Sequence, residues 1–434
     1  MALPRGLSRH VVRFIRVGEA VLAAKEIPHH LARREYHLLH DLARLGTPAV
    51  EAVGVITDRE DADGAPLDPI LLTRHLEFSL PYRSLFTPGL RRETATRLLD
   101  AMVVLLVRLH LSGFLWGDVS LSNILFRRDA GTYAAYLVDA ETGELHPKLT
   151  NGQRASDLAV GRVNVFGDFC DLQAGGLLSS SLDPAHLVDT IEERYADLWH
   201  ELTGVEEFSR DELGRIEQRV RRLNALGFDV AELAIDTSPD GDRVRVQPRV
   251  VEAGHHSRRL MQLTGLDTEE HQARRLLNDM DVHRVTTGQQ GVDDALVAHD
   301  WLTRCFLPVV EAIPPELSQK RDYAQLYHEI LDYRWYASQR ESRHVPLLEA
   351  TQGYIRDVLR QLPDEQLASG ALLKAEAAPA LANPADPAMG LASPDDAAPV
   401  ADPWETGADD IDLAAAERLD YATLLARENA RASR

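Results

Sequence analysis

The segment WGDVSLSNILF, Trp116–Phe126, decides how the rest of the chain is read. Its apolar residues would suit a strand or a helix, yet it carries Asp118 and Asn123 with small polar residues between them. A buried strand has no use for that pair, and a helix disfavours Gly-Asp followed by a β-branched residue. Sites that hold a magnesium nucleotide do use it: the Asp faces an acceptor hydroxyl and the Asn amide oxygen binds metal. A loop with Asx turns would carry the same two residues. The choice therefore rests on whether the other parts of such a site are present.

Phosphoryl transfer from ATP needs a cation on the phosphates, oxygen ligands for Mg2+, a group near the attacking hydroxyl and a loop over the phosphates. Lys25 ends the strand-like AVLAAK and is the candidate cation. It is one of only four lysines (Lys25, Lys148, Lys320, Lys374) in an arginine-rich chain, so its placement carries information. Glu35 is its candidate partner. It falls with Leu31, Leu38, Leu42 and Leu45 on one face of a helix predicted between Pro28 and Gly46. A carboxylate on a buried stripe must be paired, unless it lies at the stripe's edge and reaches water. Downstream, YLVDAETGE puts Asp139 at a strand end, where a magnesium-chelating carboxylate belongs, with Glu141 two residues on. An acidic turn would look similar in isolation, but the three parts occur in order.

These motifs resemble the protein-kinase-like fold over the first 175 or so positions. AAKE resembles the strand lysine motif, GDVSLSN the catalytic-loop D-x-x-x-x-N, and VDAE the metal-binding motif. The likeness is nearer to the bacterial branch of lipopolysaccharide, aminoglycoside and small-molecule kinases than to protein kinases. The whole chain also resembles uncharacterised bacterial proteins that join such a half to a C-terminal domain of unknown function, through QPRVVEAGHHSRRLMQLTG and QARRLLNDMD. The resemblance implies ATP and Mg2+ as cofactors. It implies Asp118 as the catalytic residue, Lys25 and Glu35 as nucleotide-binding residues, and Asn123, Asp139 and Glu141 as metal ligands. Trp116-Gly117 replaces His-Arg before the catalytic Asp, and Ala140-Glu141 replaces Phe-Gly after the metal Asp. No G-x-G-x-x-G is present. The phosphate loop is expected in PRGLS, residues 4–8, with Gly6 and the amides around Ser8 cradling phosphate. Only Met1–Leu3 remain for a first strand, so we expect a vestigial strand and a mobile Met1–Leu7, or a start further upstream.

The fold expected is α+β: a bilobal kinase-like domain over residues 1–180, then a mostly helical domain over 181–366 with a short hairpin tipped by SPDGD. Ser209 and Glu212 read as a capping box, and Asp183-Pro184 as a helix start. Residues 367–409, rich in Ala, Pro and Asp, read as a disordered linker, and 410–434 as a short terminal helix. Asp157 reads either as a helix N-cap or as a residue pinning the catalytic loop. The net charge of −21 argues against nucleic-acid or anionic-membrane partners. AMVVLLV, residues 101–107, is too short to span a bilayer. With no charged-then-apolar leader, and with Cys170 and Cys305 reading as buried free thiols, the expectation is a cytoplasmic protein.

GHHSRR, residues 254–259, reads as a loop or helix start that could face an anion. Arg219, Arg221, Arg222, Arg274 and Arg275 read as solvated helix faces. Little space lies between Asp139 and Asp157 for a peptide platform, which favours a sugar, lipid headgroup or small metabolite as acceptor. The competing expectation is a pseudokinase or nucleotide-sensing module whose helical domain or tail recognises a protein.

Overall fold

The computed structural model describes residues 11–366 apart from 19, 88–89, 180, 210–213 and 238–242. Strands β1 (Val11–Val17) and β2 (Ala20–Glu26) form an antiparallel hairpin, with Val12 opposite Lys25. Helix α1 (His29–Arg44) follows, and Pro28 is its N-cap rather than part of its first turn. Its buried residues are Ala32, Glu35, Leu39 and Leu42. The stripe is thus rotated from the leucine pattern, and Leu45 is 51% exposed. The helix packs on β3 (Ala52–Ile56), and the small Ala32 lets it lie close to the sheet.

The loop after β3 contains a short ladder missed in the sequence, β4 (Arg59–Glu60) on β5 (Pro66–Leu67). It leads to β6 (Ile70–Arg74), which completes a sheet of order β1-β2-β6-β3. Strand β7 (Ser79–Pro81) and helix α2 (Tyr82–Leu85) precede α3 (Arg92–Leu111), whose apolar run lies in the core. After β8 (Phe114–Leu115) come β9 (Ile124–Asp129) and β10 (Thr132–Leu137), forming a second sheet of order β10-β9-β7. The short β11 (Glu144–Leu145) pairs with β8. Helix α4 (Asn151–Ala174) starts at a capping box of Thr150 and Gln153. That start leaves Asp157 inside the helix, not at its cap. Helix α5 (Pro184–Thr203) is capped by Asp183, as predicted.

The hairpin beyond α5 is larger than expected. Strand β12 (Glu206–Ser209) and helix α6 (Gly214–Ala225) precede β13 (Phe228–Thr237) and β14 (Arg243–Ala253). The sheet order is β12-β14-β13, so a second neighbour supports the length of β14. Ser209 ends a strand and does not open a helix, while Glu212 and the SPDGD tip lie outside the described residues. The helical remainder comprises α7 (His255–Thr264), α8 (Glu270–Thr286), α9 (Asp294–Trp301), α10 (Leu307–Ala312), α11 (Tyr323–Glu341) and α12 (Leu347–Asp357).

The chain is therefore α+β, with a β-rich N-terminal region and a helical C-terminal part, as expected. One hydrophobic cluster runs from Ile27 to Phe228 and takes in α5; a second runs from Leu260 to Leu362. Cys170 and Cys305 are free but only half-buried. Arg219 is 1% exposed, against its reading as a solvated residue. It donates to the carbonyls of Glu201 and Gly204. No helix among the described residues is long and apolar enough to cross a membrane. The linker and tail beyond position 366 lie outside the described residues.

Candidate functional site

Three separate elements bring charge to one point. Lys25 is the penultimate residue of β2, Glu35 lies on the inner face of α1, and Asp139 and Glu141 follow β10. The Lys25 ammonium lies 3.1 Å from Glu35, 2.7 Å from Asp139 and 3.1 Å from Glu141. Glu35 is fully buried, while the Asp139 side chain keeps 26% of its exposure and Glu141 keeps 13%. Glu35 also accepts from the Ala140 N–H at 3.3 Å, which ties the residue after Asp139 to α1.

The two members of the central pair are shifted in the same direction for different reasons. Burial pushes the Glu35 carboxyl up to about 7, aided by the Asp139 charge and only partly opposed by Lys25. Burial alone would lower the Lys25 value, but the three carboxylates outweigh it and raise it above the usual lysine range. Carboxylate oxygens of Glu35, Asp139 and Glu141 come within 4.8 Å of one another, a spacing at which they could share a metal ion.

Asp118 lies in the loop after β8, and Asn123 ends a 3-10 turn, Leu121–Asn123, just before β9. The Asn123 amide nitrogen donates to the Asp118 carboxylate at 3.1 Å and to its carbonyl at 3.0 Å. The other carboxylate oxygen accepts from Asn164 on α4 at 2.9 Å. Both oxygens of Asp118 are thus oriented. The Val138 N–H donates to the Asn123 carbonyl at 3.1 Å, linking this loop to the Asp139 segment.

Helix α4 holds the loop from below. Asp157, 1% exposed, accepts from the N–H groups of Trp116 (2.8 Å) and Gly117 (2.7 Å), with His110 Nε2 at 3.0 Å. Of its two sequence readings, the geometry fits the pinning one. Gly117 needs to be glycine, because its φ is 78° and a Cβ there would lie 3.2 Å from the Thr142 carbonyl. Asp168 accepts from the Leu121 N–H at 2.8 Å. Sequence reasoning missed Asn164 and Asp168. The available signal was their spacing from Asp157, which keeps all three near one side of a helix.

Lys25, Glu35, Asp139 and Glu141 therefore meet, and Asp118 and Asn123 meet each other. Gly6 and Ser8 lie outside the described residues. GHHSRR opens α7, and the anion facing it is internal. Glu270 accepts from the N–H and ring of His256, both at 2.7 Å, and from the N–H and hydroxyl of Ser257. Burial would raise the Glu270 value, but these bonds hold it down at about 2.

The comparisons with known proteins add a domain of unknown function, DUF4032, whose family model matches residues 197–359. That is less than half of the chain and describes its C-terminal part alone. Among solved structures, WaaP in complex with acyl carrier protein is similar at 16% identity, covering 51% of this chain and 87% of that one, with a TM-score of 0.33. At that score the likeness does not bear on the site. No curated protein matches the chain.

Proposed function

We propose that this chain is a kinase-like phosphotransferase that uses ATP and Mg2+ to phosphorylate a hydroxyl acceptor. The observation that carries the reading is the convergence at Lys25: its ammonium group meets the carboxylates of Glu35, Asp139 and Glu141, whose oxygens lie within 4.8 Å of one another. Carboxylates gathered this closely are a setting in which a divalent cation is held. An all-oxygen donor set suits Mg2+ better than a softer metal. Asp139 and Glu141 would hold it, with the Asn123 amide oxygen, since the Asn123 nitrogen is engaged by Asp118. When bound, magnesium ATP supplies the phosphoryl group and offsets the charge on its oxygens.

The roles of the remaining residues follow from their chemistry. Lys25 binds phosphate oxygens, and Glu35 keeps the ammonium group aimed. Asp118 orients the acceptor hydroxyl and takes its proton, with Asn123 and Asn164 fixing its two oxygens. Between Asp139 and α4 the chain has only a short loop and the two-residue β11, which supports a compact acceptor over a peptide. A sugar, a lipid headgroup or a small metabolite fits that space. One observation favours a second reading, a nucleotide-sensing module: the 2.7 Å contact of Lys25 with Asp139 lets the site satisfy itself.

Incubation of the full chain with γ-labelled ATP, Mg2+ and fractionated cell extract separates the two. Transfer of label to a small hydroxyl compound, lost in Asp118→Asn with ATP binding retained, is the expected result. Binding without transfer would favour the module, and no binding of magnesium ATP would overturn both.

A further inference from the structure

The β9–β10 hairpin carries the site at one end only. Asn123 immediately precedes β9 and Asp139 follows β10 by two residues. Six residue pairs away lies the turn around Ala130, which has φ 54°. At a strand rise of about 3.3 Å per residue, this end is roughly 15–20 Å from the site. There the hairpin meets the elements of the second hydrophobic cluster.

The contacts that join them are polar. Asp129, 2% exposed, accepts from the N–H groups of His271 (3.1 Å) and Gln272 (2.7 Å) and so caps the first turn of α8. Gln272 Nε2 donates to the Arg128 carbonyl at 3.0 Å, and the Ala130 N–H donates to Gln325 on α11 at 3.0 Å. Arg128 donates to Glu365 at 2.9 Å, and Glu365 also pairs with Arg321 at 2.9 Å. Arg127 and Tyr136 both reach Glu269, at 3.0 and 2.7 Å.

An apolar joint between two cores tolerates sliding, because any greasy surface satisfies another. A buried polar joint has only one register in which its groups are paired, and every other register leaves some unsatisfied. The turn is therefore fixed against α8 and α11. The hairpin, braced along β9 by β7, transmits that constraint along its ladder to its open end, where the Val138–Asn123 bond closes it.

We infer that the C-terminal helical region is a positioning element of the phosphotransfer site: through Asp129 and Arg128 it sets the spacing of Asn123 and Asp139. The functional consequence rests on the metal-binding roles proposed above for those two residues, while the mechanical coupling does not. Asp129 and Arg128 are positioning residues, since neither touches the site.

The test uses the full chain with Asp129→Asn, Glu365→Gln and Arg128→Lys. Amide hydrogen exchange is followed at residues 123–126 and 137–139, with 103–107 of α3 as the internal reference. Asp129→Asn is expected to speed exchange at the site end about tenfold, with α3 changed less than about twofold. In parallel, the Mg2+ concentration that half-saturates ATP binding should rise about tenfold, as when an outer-shell partner of a metal ligand is lost. Metal-free ATP binding should stay unchanged, and Arg128→Lys, which keeps a cation for Glu365, should behave nearly as the parent chain.

Faster exchange confined to 128–132 and 269–273 would overturn the inference, leaving the seam as an attachment only. If Asp129→Asn loosens α3 equally, Glu365→Gln decides by the same criteria. If the parent chain binds no magnesium ATP, the proposed function fails, and the exchange pattern still decides whether the seam reaches the site.

Discussion

Two charge networks lie at opposite ends of one hairpin, and they differ in composition. At the open end Lys25 faces Glu35, Asp139 and Glu141. At the closed end Arg127, Arg128 and Arg321 face Glu269, Glu365 and Glu329, and Asp129 is held by the backbone N–H groups of His271 and Gln272. Exposure does not separate the two: the Arg128 side chain keeps 25%, beside 26% for Asp139. Both networks bear the desolvation cost of buried ions. The closed-end network ties β9 to α8 and α11 and fixes register. The open-end one gathers three carboxylates whose oxygens lie within 4.8 Å of one another, a spacing at which they could share a metal ion. The lysine/arginine choice agrees with this. Guanidinium groups suit fixed, multidentate pairing, while a flexible ammonium group can transfer from a carboxylate to a phosphate.

The largest expected effects separate roles within the open network. Asp139→Asn should abolish magnesium-dependent ATP binding, whereas Asp118→Asn should keep binding and lower turnover by about two to four orders of magnitude. Equal loss of binding in both, measured by calorimetry, would mean that the two carboxylates do not have distinct tasks.

Next in size is the cost of unbalancing Glu35 completely. Lys25→Met removes its cation while leaving the carboxylate fully buried, and should cost about 3 kcal/mol in urea unfolding. The double variant Lys25→Met/Glu35→Leu should recover most of that stability without recovering ATP binding. Recovery of both would show that the pair serves the fold alone.

A smaller, pH-dependent effect belongs to the closed end. Burial pushes Asp129 up to about 7 against its bonds from Gln272 and His271, and Glu269 up to about 7 against the pull of Arg127. In the unfolded chain these groups ionise near their ordinary values of 3.8 and 4.5. Between those values and about 7 the folded protein holds protons that the unfolded chain has released. Their stabilising contribution is therefore full below pH 4 and declines as pH rises to about 7. Glu270 runs the other way: held at about 2, it stabilises above its ordinary 4.5 and loses that contribution as pH falls toward 2. Melting curves of the parent chain and Asp129→Asn should thus converge from pH 5 to pH 7.5. Divergence would contradict the burial-driven shift. At the small end, Arg162→Ala breaks exposed pairs with Asp189 and Glu192 and should leave melting unchanged.

The open network was more legible in the sequence than the closed one. Lys25 and Asn123 sit at element ends and Asp118 and Asp139 in the loops after β8 and β10, where the spacing of their motifs and its likeness to a kinase-like pattern bring them forward. Glu35 was placed on a buried face even though the stripe was drawn through Leu31, Leu38 and Leu45 rather than Ala32 and Leu39. Leucine was overweighted against alanine, which packs where a helix lies close to a sheet. The closed network joins residues 195 and 237 positions apart, and no local period encodes such pairs. Charge patterning looks for acids, and two of the groups that hold Arg219 in the interior are backbone carbonyls. The sequence around Asp157 allows two roles, and the Thr150–Gln153 capping box that starts α4 seven residues earlier decides between them.

Equilibrium binding of ATP to the full chain and to Asp139→Asn, each with and without Mg2+, tests most directly whether the open-end network is a magnesium-nucleotide site. The parent chain should bind ATP more tightly with Mg2+, by about tenfold or more, and Asp139→Asn should lose that difference. ATP binding that is indifferent to Mg2+ in the parent chain, or a magnesium response that survives Asp139→Asn intact, would contradict it.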